Sequence, residues 1–394
     1  MLALLAPGQG AQTPGLLTPW LDLDGVAGRL RWLSALSGLD LVALGTTAEA
    51  DAIRATDVAQ PLLVATGLVA AATFGREDVT VVAGHSVGEI TAASLAGVLS
   101  EESAVALAAA RGRAMAAACG DADTSMAAVL GGEPADVSRC LDDLGLTAAN
   151  RNGAGQVVAA GARTAIERLA ADPPARARVV VLQVAGAFHT AYMSSAQTSL
   201  ASMAGGVATA DPVRLLLSNA DGTAVPSGTE ALRRLIAQVT APVRWDLCQA
   251  TLRHLGVTAA VELPPAGTLT GLAKRELRGV EVVALKTPDD LPAVRDLIAR
   301  HGGPPGAEPS VEFRVLVAPT AGTFTPGTMR EGDSVGTGTA VGQVISRQGS
   351  SDVMLGYPAV LAEWLATDGD PVTAGQPLAR LHPLGGPLVG AHGE

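Results

Sequence analysis

Gly84-His85-Ser86-Val87-Gly88 is the stretch that decides how this chain is read. It follows the apolar run Val79-Thr80-Val81-Val82-Ala83 and opens a helical pattern over residues 89–98. Strand, then Gly-x-Ser-x-Gly, then helix is the order a nucleophile elbow needs. The two glycines let the strand turn sharply into the helix. The helix N-terminus leaves free N–H groups and a positive dipole end beneath the serine. A serine placed there can attack a carbonyl. On the motif alone, a Gly-rich turn with Ser86 as an ordinary N-cap is an equal reading. The rest of the chain separates the two.

The 394 residues suffice for two or three domains and a large core. The chain is 48% hydrophobic but only 3% aromatic, so its core must be built of Ala, Leu and Val. No unbroken run of about 18 apolar residues occurs, and none predicts a membrane span. The start, Met1-Leu2-Ala3-Leu4-Leu5-Ala6-Pro7-Gly8, lacks a basic segment and is too short for a signal peptide, so it reads as a first buried strand. Cys119, Cys140 and Cys248 are odd in number, widely spaced and without a CxxC. That fits a reducing cytoplasm and argues against both a disulfide framework and a metal site. A net charge of −11 excludes non-specific binding to nucleic acid.

Short apolar runs at 2–6, 80–83, 127–130, 156–160, 179–184, 214–218, 259–262 and 281–284 read as strands. Helical patterns at 61–74, 88–97, 101–118, 134–144, 163–171, 190–203, 229–239 and 244–255 alternate with them. Such alternation predicts an α/β domain with a mostly parallel sheet over 1–300. Residues 124–184 read β-α-β-β-α-β, a ferredoxin-like insert between the 1–123 and 185–300 parts of the larger subdomain. The Gly- and Pro-rich stretch 301–310 reads as an interdomain linker. Residues 311–384 read as a small all-β module, and 385–394 as a frayed tail.

A serine nucleophile needs a base, donors for the oxyanion and a group that orients the base. Of six histidines, His301, His382 and His392 lie in the linker or beyond, and His254 sits late in a helical pattern. His85 adjoins the serine, and its side chain is expected to point away from Ser86. His189, in Gly186-Ala187-Phe188-His189-Thr190, lies between a strand and a helix. It can therefore share the carboxyl edge of the sheet with Ser86. Pro7-Gly8-Gln9-Gly10-Ala11-Gln12 follows the first strand and exposes backbone N–H groups, and it is neither a Walker A loop nor a G-x-G-x-x-G motif.

Together these segments resemble the malonyl-CoA:acyl carrier protein transacylase family, over about 1–300. The matching motifs are the Pro7–Gln12 and Gly84–Glu89 segments, Arg111-Gly112-Arg113-Ala114-Met115, Asn152 with Gly155-Gln156-Val157-Val158, and Gly186-Ala187-Phe188-His189. Ser218-Asn219-Ala220-Asp221, Gln238 with Pro242-Val243-Arg244-Trp245, and Leu269-Thr270-Gly271-Leu272 continue the series. The resemblance implies an α/β-hydrolase-like core and a ping-pong transfer of malonyl from malonyl-CoA to the phosphopantetheine thiol of acyl carrier protein, in fatty-acid or polyketide synthesis. It implies that Ser86 is acylated, His189 is its base, and the N–H groups of Gln9 and Val87 form the oxyanion hole. It implies that Arg111 holds the malonyl carboxylate, that the main-chain carbonyl near Gln238 orients His189, and that Asn152 lies near the site. Met115 and Phe188 would close the pocket wall, Phe188 suiting malonyl over a branched unit. Coenzyme A enters only as the substrate's thioester, and no resident cofactor is expected. Arginine suits the Arg111 role because an unpaired carboxylate in a partly dry pocket is costly and a guanidinium binds it bidentately. The family's late Gly-Pro-Gly is replaced here by Leu263-Pro264-Pro265-Ala266-Gly267. Because carrier proteins and this chain are both acidic, docking would need a local basic patch. Arg163, Arg168, Lys274, Arg275 and Arg278 are candidates, with solvated helix faces as the alternative.

The last module resembles a biotinyl/lipoyl carrier domain, a flattened barrel, through Val315-Leu316-Val317-Ala318-Pro319 and two similar Asp-Gly-Asp or Glu-Gly-Asp turns. Its hairpin reads Ser346-Arg347-Gln348-Gly349, and no lysine follows Lys286. Arginine cannot form the amide that biotin or lipoate requires, so neither group is expected. A stabilising appendage and a docking surface for a carboxylase or synthase subunit both remain open for this module. For the whole chain, a serine esterase would not need Arg111, and a non-catalytic assembly protein would never form a covalent malonyl adduct.

Overall fold

The computed structural model describes residues 1–303, 314–346, 349–356 and 358–383. The chain divides into two compact units, Met1–Ala307 and Glu308–Glu394. In the first, strands β1 (Leu2–Ala6), β2 (Val81–Gly84), β7 (Leu215–Leu217), β9 (Ala259–Glu262) and β10 (Glu281–Ala284) form a parallel sheet. Their order is β10-β9-β1-β2-β7. Every residue of β1 and β2 is buried. Uninterrupted apolar runs of this kind belong to strands covered on both faces.

A second sheet has the order β6-β3-β5-β4-β8. It comprises β3 (Thr124–Gly131), β4 (Thr147–Gly153), β5 (Gln156–Ala162), β6 (Ala177–Val181) and β8 (Val243–Arg244). The β4–β8 pairing is parallel and the others are antiparallel. The two-residue β8 comes from outside 124–184, so the insert's sheet is completed by the larger part. The β-α-β-β-α-β reading requires a strand ahead of β5, but β4 carries no apolar run, so its bounds cannot be read from the sequence. Its Asn150 and Asn152 are nevertheless buried, because they face the cleft. The strand expected to run to 184 ends at Val181, one backbone bond (Leu182 N–H to Met126 O, 2.9 Å) beyond which the chain leaves the sheet edge. Leu182, Gln183 and Val184 then line the cleft instead.

Two helices carry the site. Ser100 caps the Glu101–Ala118 helix by accepting from the Ser103 N–H, and Glu101 and Glu102 occupy its first turn, favourably placed on the helix dipole. The Thr56–Ala71 helix lies against it. A Cβ on Gly112 would sit 2.8 Å from the Thr56 carbonyl oxygen and 2.9 Å from the Asp57 Cα, so only glycine permits this approach. The helices Val26–Ser37, Leu41–Thr46, Thr268–Glu276 and Leu291–His301 add to those expected. The segment expected as helix from 190 begins as a single 3-10 turn, Ala191–Met193, before Ser194–Ala204. His301, expected to open the linker, is the last residue of a helix, and the Gly303 N–H is bonded to Asp78 O. Residues 304–310 of that linker and the tail 385–394 lie outside the described residues.

The second unit packs two four-stranded sheets, β11-β18-β16-β13 and β15-β14-β12-β17. Its strands are β11 (Arg314–Val317), β12 (Gly322–Pro326), β13 (Ser334–Val335), β14 (Ala340–Ser346), β15 (Gly349–Met354), β16 (Ala359–Trp364), β17 (Pro371–Val372) and β18 (Pro377–Pro383). All pairings are antiparallel, around a core of its own that includes Phe324, Val344 and Leu378. Arg347 and Gln348, at the tip of the β14–β15 hairpin, lie outside the described residues.

Candidate active site

Ser86 stands between β2 and the Gly88–Leu95 helix with φ +52°, in the left-handed region. Gly84 and Gly88 make this turn possible. A Cβ on Gly84 would lie 2.0 Å from the Gly88 backbone, and one on Gly88 would lie 2.2 Å from Ala6 O. Asn219 holds the turn from both sides: its Oδ1 accepts from Ser86 N–H at 2.8 Å and its Nδ2 donates to Gly84 O at 2.8 Å. His189 also has a positive φ, +59°. Ala154 and Arg176, at turns beside the second sheet, are left-handed too. At each such non-glycine residue the backbone costs energy that the surrounding contacts must offset.

Ser86 and His189 meet. Ser86 Oγ lies 2.7 Å from His189 Nε2, and His189 Nδ1 donates to the main-chain oxygen of Gln238 at 2.8 Å. That second bond fixes the tautomer, leaving Nε2 free to accept the serine proton. Burial first, then the charge of Arg111, lower the His189 pKa from 6.5 to about 3. The imidazole is therefore neutral near pH 7.

Arg111 projects from the middle of the Glu101–Ala118 helix and is 2% exposed. Its Nη1 donates to Gln60 Oε1 at 2.7 Å, and its Nη2 donates to Gln238 Oε1 at 2.9 Å and reaches Ser86 Oγ at 3.5 Å. Burial lowers its pKa to about 10, so it remains a cation at neutral pH. No carboxylate touches it among the described residues. The nearest in this network is Glu89, which accepts from Asn219 N–H at 2.6 Å and from Gln238 Nε2. Burial raises the Glu89 pKa to about 7.

Ser86, His189 and Arg111 line one cavity of about 310 Å³, together with Gln9, Met115, Asn152 and Phe188. The amides of Gln9 and Val87 donate to no protein acceptor among the described residues. The Gln9 side chain is engaged instead, 3.3 Å from Thr56 Oγ1. His85 departs from expectation. Its ring lines the same cavity, with Nε2 donating to Asn152 Oδ1 at 2.9 Å. The in-out alternation of a strand does not carry through a turn whose next residue is left-handed. At the late loop, the Glu262 carboxylate accepts from the N–H groups of Gly267, Leu269 and Thr270 at 2.7–2.9 Å. It thereby anchors the start of the helix whose Thr268, Leu269 and Leu272 form one cavity wall.

The basic candidates for docking do not gather in one place. Arg163 is paired with Asp123 at 2.7 Å and borders a hollow that shares Arg54, Leu182 and Val184 with the main cavity. Arg168 opens on a separate depression beside Asp136, Asp143 and Asp172. Lys274, Arg275 and Arg278 are exposed, the first two in the last turn of the Thr268–Glu276 helix. No cluster of His, Cys, Asp and Glu able to hold a metal occurs among the described residues, and no helix of the described residues is long and apolar enough to cross a membrane. Gln60, Glu89 and Asn219 were not singled out from the sequence. The last two sit inside motifs quoted above, but the bonds that tie Glu89 to Asn219 and Gln238 span 130 and 149 residues of the chain.

A parallel-sheet α/β unit with a histidine-paired serine and a buried, unneutralised arginine in one cavity defines an enzyme that transfers acyl groups. The chain belongs to the acyl transferase domain family, whose sequence profile matches residues 5–287. It is 55% identical over 302 residues to malonyl CoA-acyl carrier protein transacylase of Mycobacterium tuberculosis (strain ATCC 25618 / H37Rv), covering 75% of this chain and 100% of that protein. It is 30% identical over 305 residues to the protein of the same name from Escherichia coli (strain K12), covering 75% of this chain and 99% of that one. The crystal structure of MCAT from Mycobacterium tuberculosis superposes with a TM-score of 0.73, over 75% of this chain and 99% of that one, at 55% identity. A structure titled as a type II PKS acyl-carrier protein in complex with its malonyl-transacylase matches with a TM-score of 0.71 at 27% identity, over 75% of this chain and 99% of that chain.

Proposed function

We propose that this chain moves a malonyl group from malonyl-CoA to the phosphopantetheine thiol of an acyl carrier protein, for fatty-acid or polyketide synthesis. One observation carries the reading: the serine–histidine pair and a buried arginine without a carboxylate partner face the same cavity. Ser86, raised on a nucleophile elbow, attacks the thioester carbonyl while His189 Nε2 takes its proton. The N–H groups of Gln9 and Val87 receive the developing oxyanion, and a buried, preorganised donor there is worth several kcal/mol (about 3). On collapse the proton passes from His189 to the departing sulfur of coenzyme A. The second half-reaction runs in reverse, with the carrier thiol giving its proton to His189 and attacking the malonyl ester. Arg111 takes the malonyl carboxylate bidentately throughout, and Met115, Asn152 and Phe188 bound the acyl group. Arg163, which borders a hollow continuous with the cavity lining, and Lys274, Arg275 and Arg278 are candidates for contact with an acidic carrier.

The 1–300 segment acts as the transferase, with 124–184 as a ferredoxin-like subdomain forming one wall of the cleft. The unit from 311 to 384 is a biotinyl/lipoyl-like flattened barrel, a reading supported by its two four-stranded sheets. The chain's only lysines are Lys274 and Lys286, so this barrel carries neither biotin nor lipoate. Three free cysteines suit a cytoplasmic location.

Intact mass after mixing with malonyl-CoA tests the reading. One malonyl adduct is expected on the wild-type chain and none on Ser86→Ala; an adduct that survives the substitution refutes it. A chain ending at residue 303 retains every site residue and is expected to transfer malonyl at the full-length rate. A large loss on this truncation gives the barrel a part in catalysis, whereas an unchanged rate leaves it to partner docking.

A further inference from the structure

We propose that Glu89 is a positioning residue that sets the preference for a carboxylate-bearing acyl group, by fixing which end of the Gln238 side-chain amide faces Arg111. The inference rests on the transacylase reading above and extends it to a residue that touches no substrate.

An amide side chain has a donor end and an acceptor end, and in a closed network its neighbours decide which way it lies. Ionised, a buried carboxylate offers acceptors only, and with the Glu89 pKa at about 7 that form predominates above neutrality. Glu89 Oε1 is taken by the Asn219 N–H at 2.6 Å, and the other oxygen faces Gln238. Gln238 must therefore present its NH2 to Glu89. Its Oε1 is left to face Arg111, and it accepts from Nη2 at 2.9 Å. The same NH2 lies within 3.3 Å of Ser86 O and 3.2 Å of Asn219 Oδ1, two further acceptors that reinforce this orientation. On the other side, Gln60 Oε1 accepts from Nη1 at 2.7 Å. Two neutral oxygens thus hold the guanidinium with one edge toward Ser86 Oγ, without neutralising it. When ionised, Glu89 supplies negative charge that offsets the burial of the cation, but one residue removed, so the arginine's edge is left for the ligand's carboxylate.

Glu89→Gln makes the argument testable. The Asn219 N–H, the Gln238 NH2 and the Ser218 hydroxyl face position 89; the hydroxyl can turn to accept, but one of the other two would then meet an NH2. The Asn219 N–H is backbone and cannot turn, whereas the Gln238 amide can. Turned over, Gln238 directs its own NH2 at Arg111, donor against donor, and the guanidinium is pushed off its seat. The His189 bond to the Gln238 main-chain oxygen does not depend on that rotation.

The experiment compares, at pH 8 where Glu89 is mostly ionised, kcat/KM for acylation of full-length enzyme by malonyl-CoA and by acetyl-CoA, in the wild type, Glu89→Gln, Arg111→Ala and the double variant. Mispairing one buried hydrogen-bonding group predicts a malonyl loss of about tenfold or more, with acetyl within about threefold. In the Arg111→Ala background, Glu89→Gln is expected to change malonyl transfer by less than about twofold, because contacting groups acting through one another are not additive. Equal losses on both acyl groups, no loss on malonyl, or fully additive losses would overturn the proposal. Should Glu89→Gln fail to fold, Glu89→Asp keeps the acceptor-only group and is expected to retain the malonyl-over-acetyl preference. A well-folded Glu89→Asp that loses the preference also overturns it. A wild-type chain that takes no malonyl at all refutes the transacylase reading itself, and is thereby distinguished from failure of this inference alone.

Discussion

Acid separates this site from one built on an ordinary histidine. Burial, and after it the cation of Arg111, hold the His189 pKa at about 3 instead of 6.5. The base form is the neutral one, so activity is lost only as pH falls through the value in the folded enzyme. At pH 5 an imidazole at its ordinary value would be about 97% protonated, and acylation would fall about 25-fold from pH 7. With a pKa near 3, about 1% is protonated at pH 5 and the rate changes by less than about twofold. The assay is the pH dependence of kcat/KM for acylation of Ser86 by an uncharged ester such as p-nitrophenyl acetate, which reports the free enzyme and leaves Arg111 idle as a ligand. In Arg111→Ala the acid limb is expected to move upward, because the neighbouring cation is one of the causes of the depression. Glu89, with a pKa of about 7, titrates in the same range as an ordinary histidine, so the profile is repeated in Glu89→Gln. A limb centred at pH 6.5 or above that persists there would refute the reasoning, since it would mean that the imidazole is neither dry nor under the arginine's field.

Arg111→Ala should cost malonyl transfer about a hundredfold or more while leaving acetyl transfer within a fewfold, because it strands a buried carboxylate in one case only; parallel kcat/KM measurements decide, and equal losses contradict the assigned role. Gly112→Ala should force the Thr56–Ala71 and Glu101–Ala118 helices apart, costing about 1–3 kcal/mol of stability. Thermal unfolding would register that as a lowered Tm, and the malonyl KM should rise as Gln60 is drawn away from Arg111; an unchanged Tm would show that the helices do not depend on this contact.

The parts of the site legible in the sequence were those with local signatures. Ser86 announces itself through a strand, two glycines and a helix within a few residues, and β1, β9 and β10 match their apolar runs end for end. His189 was separable from five other histidines by its place between a strand and a helix. The unread parts are long-range or polar. Strand β4 alternates with asparagines turned toward the cleft, so its pattern resembles a turn more than a buried strand. Gln60 reaches Arg111 only because Gly112 lets two helices touch, and nothing near residue 60 encodes that approach. The Val26–Ser37 helix begins at Gly25, which offers no side-chain cap, and its apolar face is weakly marked. Glu89 stands in the first turn of its helix, where an acidic residue is favoured by the dipole alone and gives no sign of other partners. Only folding shows that it is 5% exposed and bonded to Asn219 and Gln238.

The choice of a main-chain carbonyl to orient His189 follows from what else the cavity holds. A carboxylate at that point would raise the imidazole pKa, as the acid of a Ser-His-Asp triad does for the imidazolium it stabilises. It would also lie close enough to compete for Arg111, whose edge reaches Ser86 Oγ at 3.5 Å. The Gln238 oxygen fixes the tautomer without adding charge, and the side chain of the same residue seats the arginine. One residue thus aims both the base and the cation, through two groups that carry no charge. Negative charge that offsets the arginine's burial stands behind Gln238, on Glu89 in its ionised form. An esterase acting on neutral substrates would bear the desolvation of Arg111 with nothing gained, whereas an enzyme whose acyl group ends in a carboxylate completes the pair each time it is loaded.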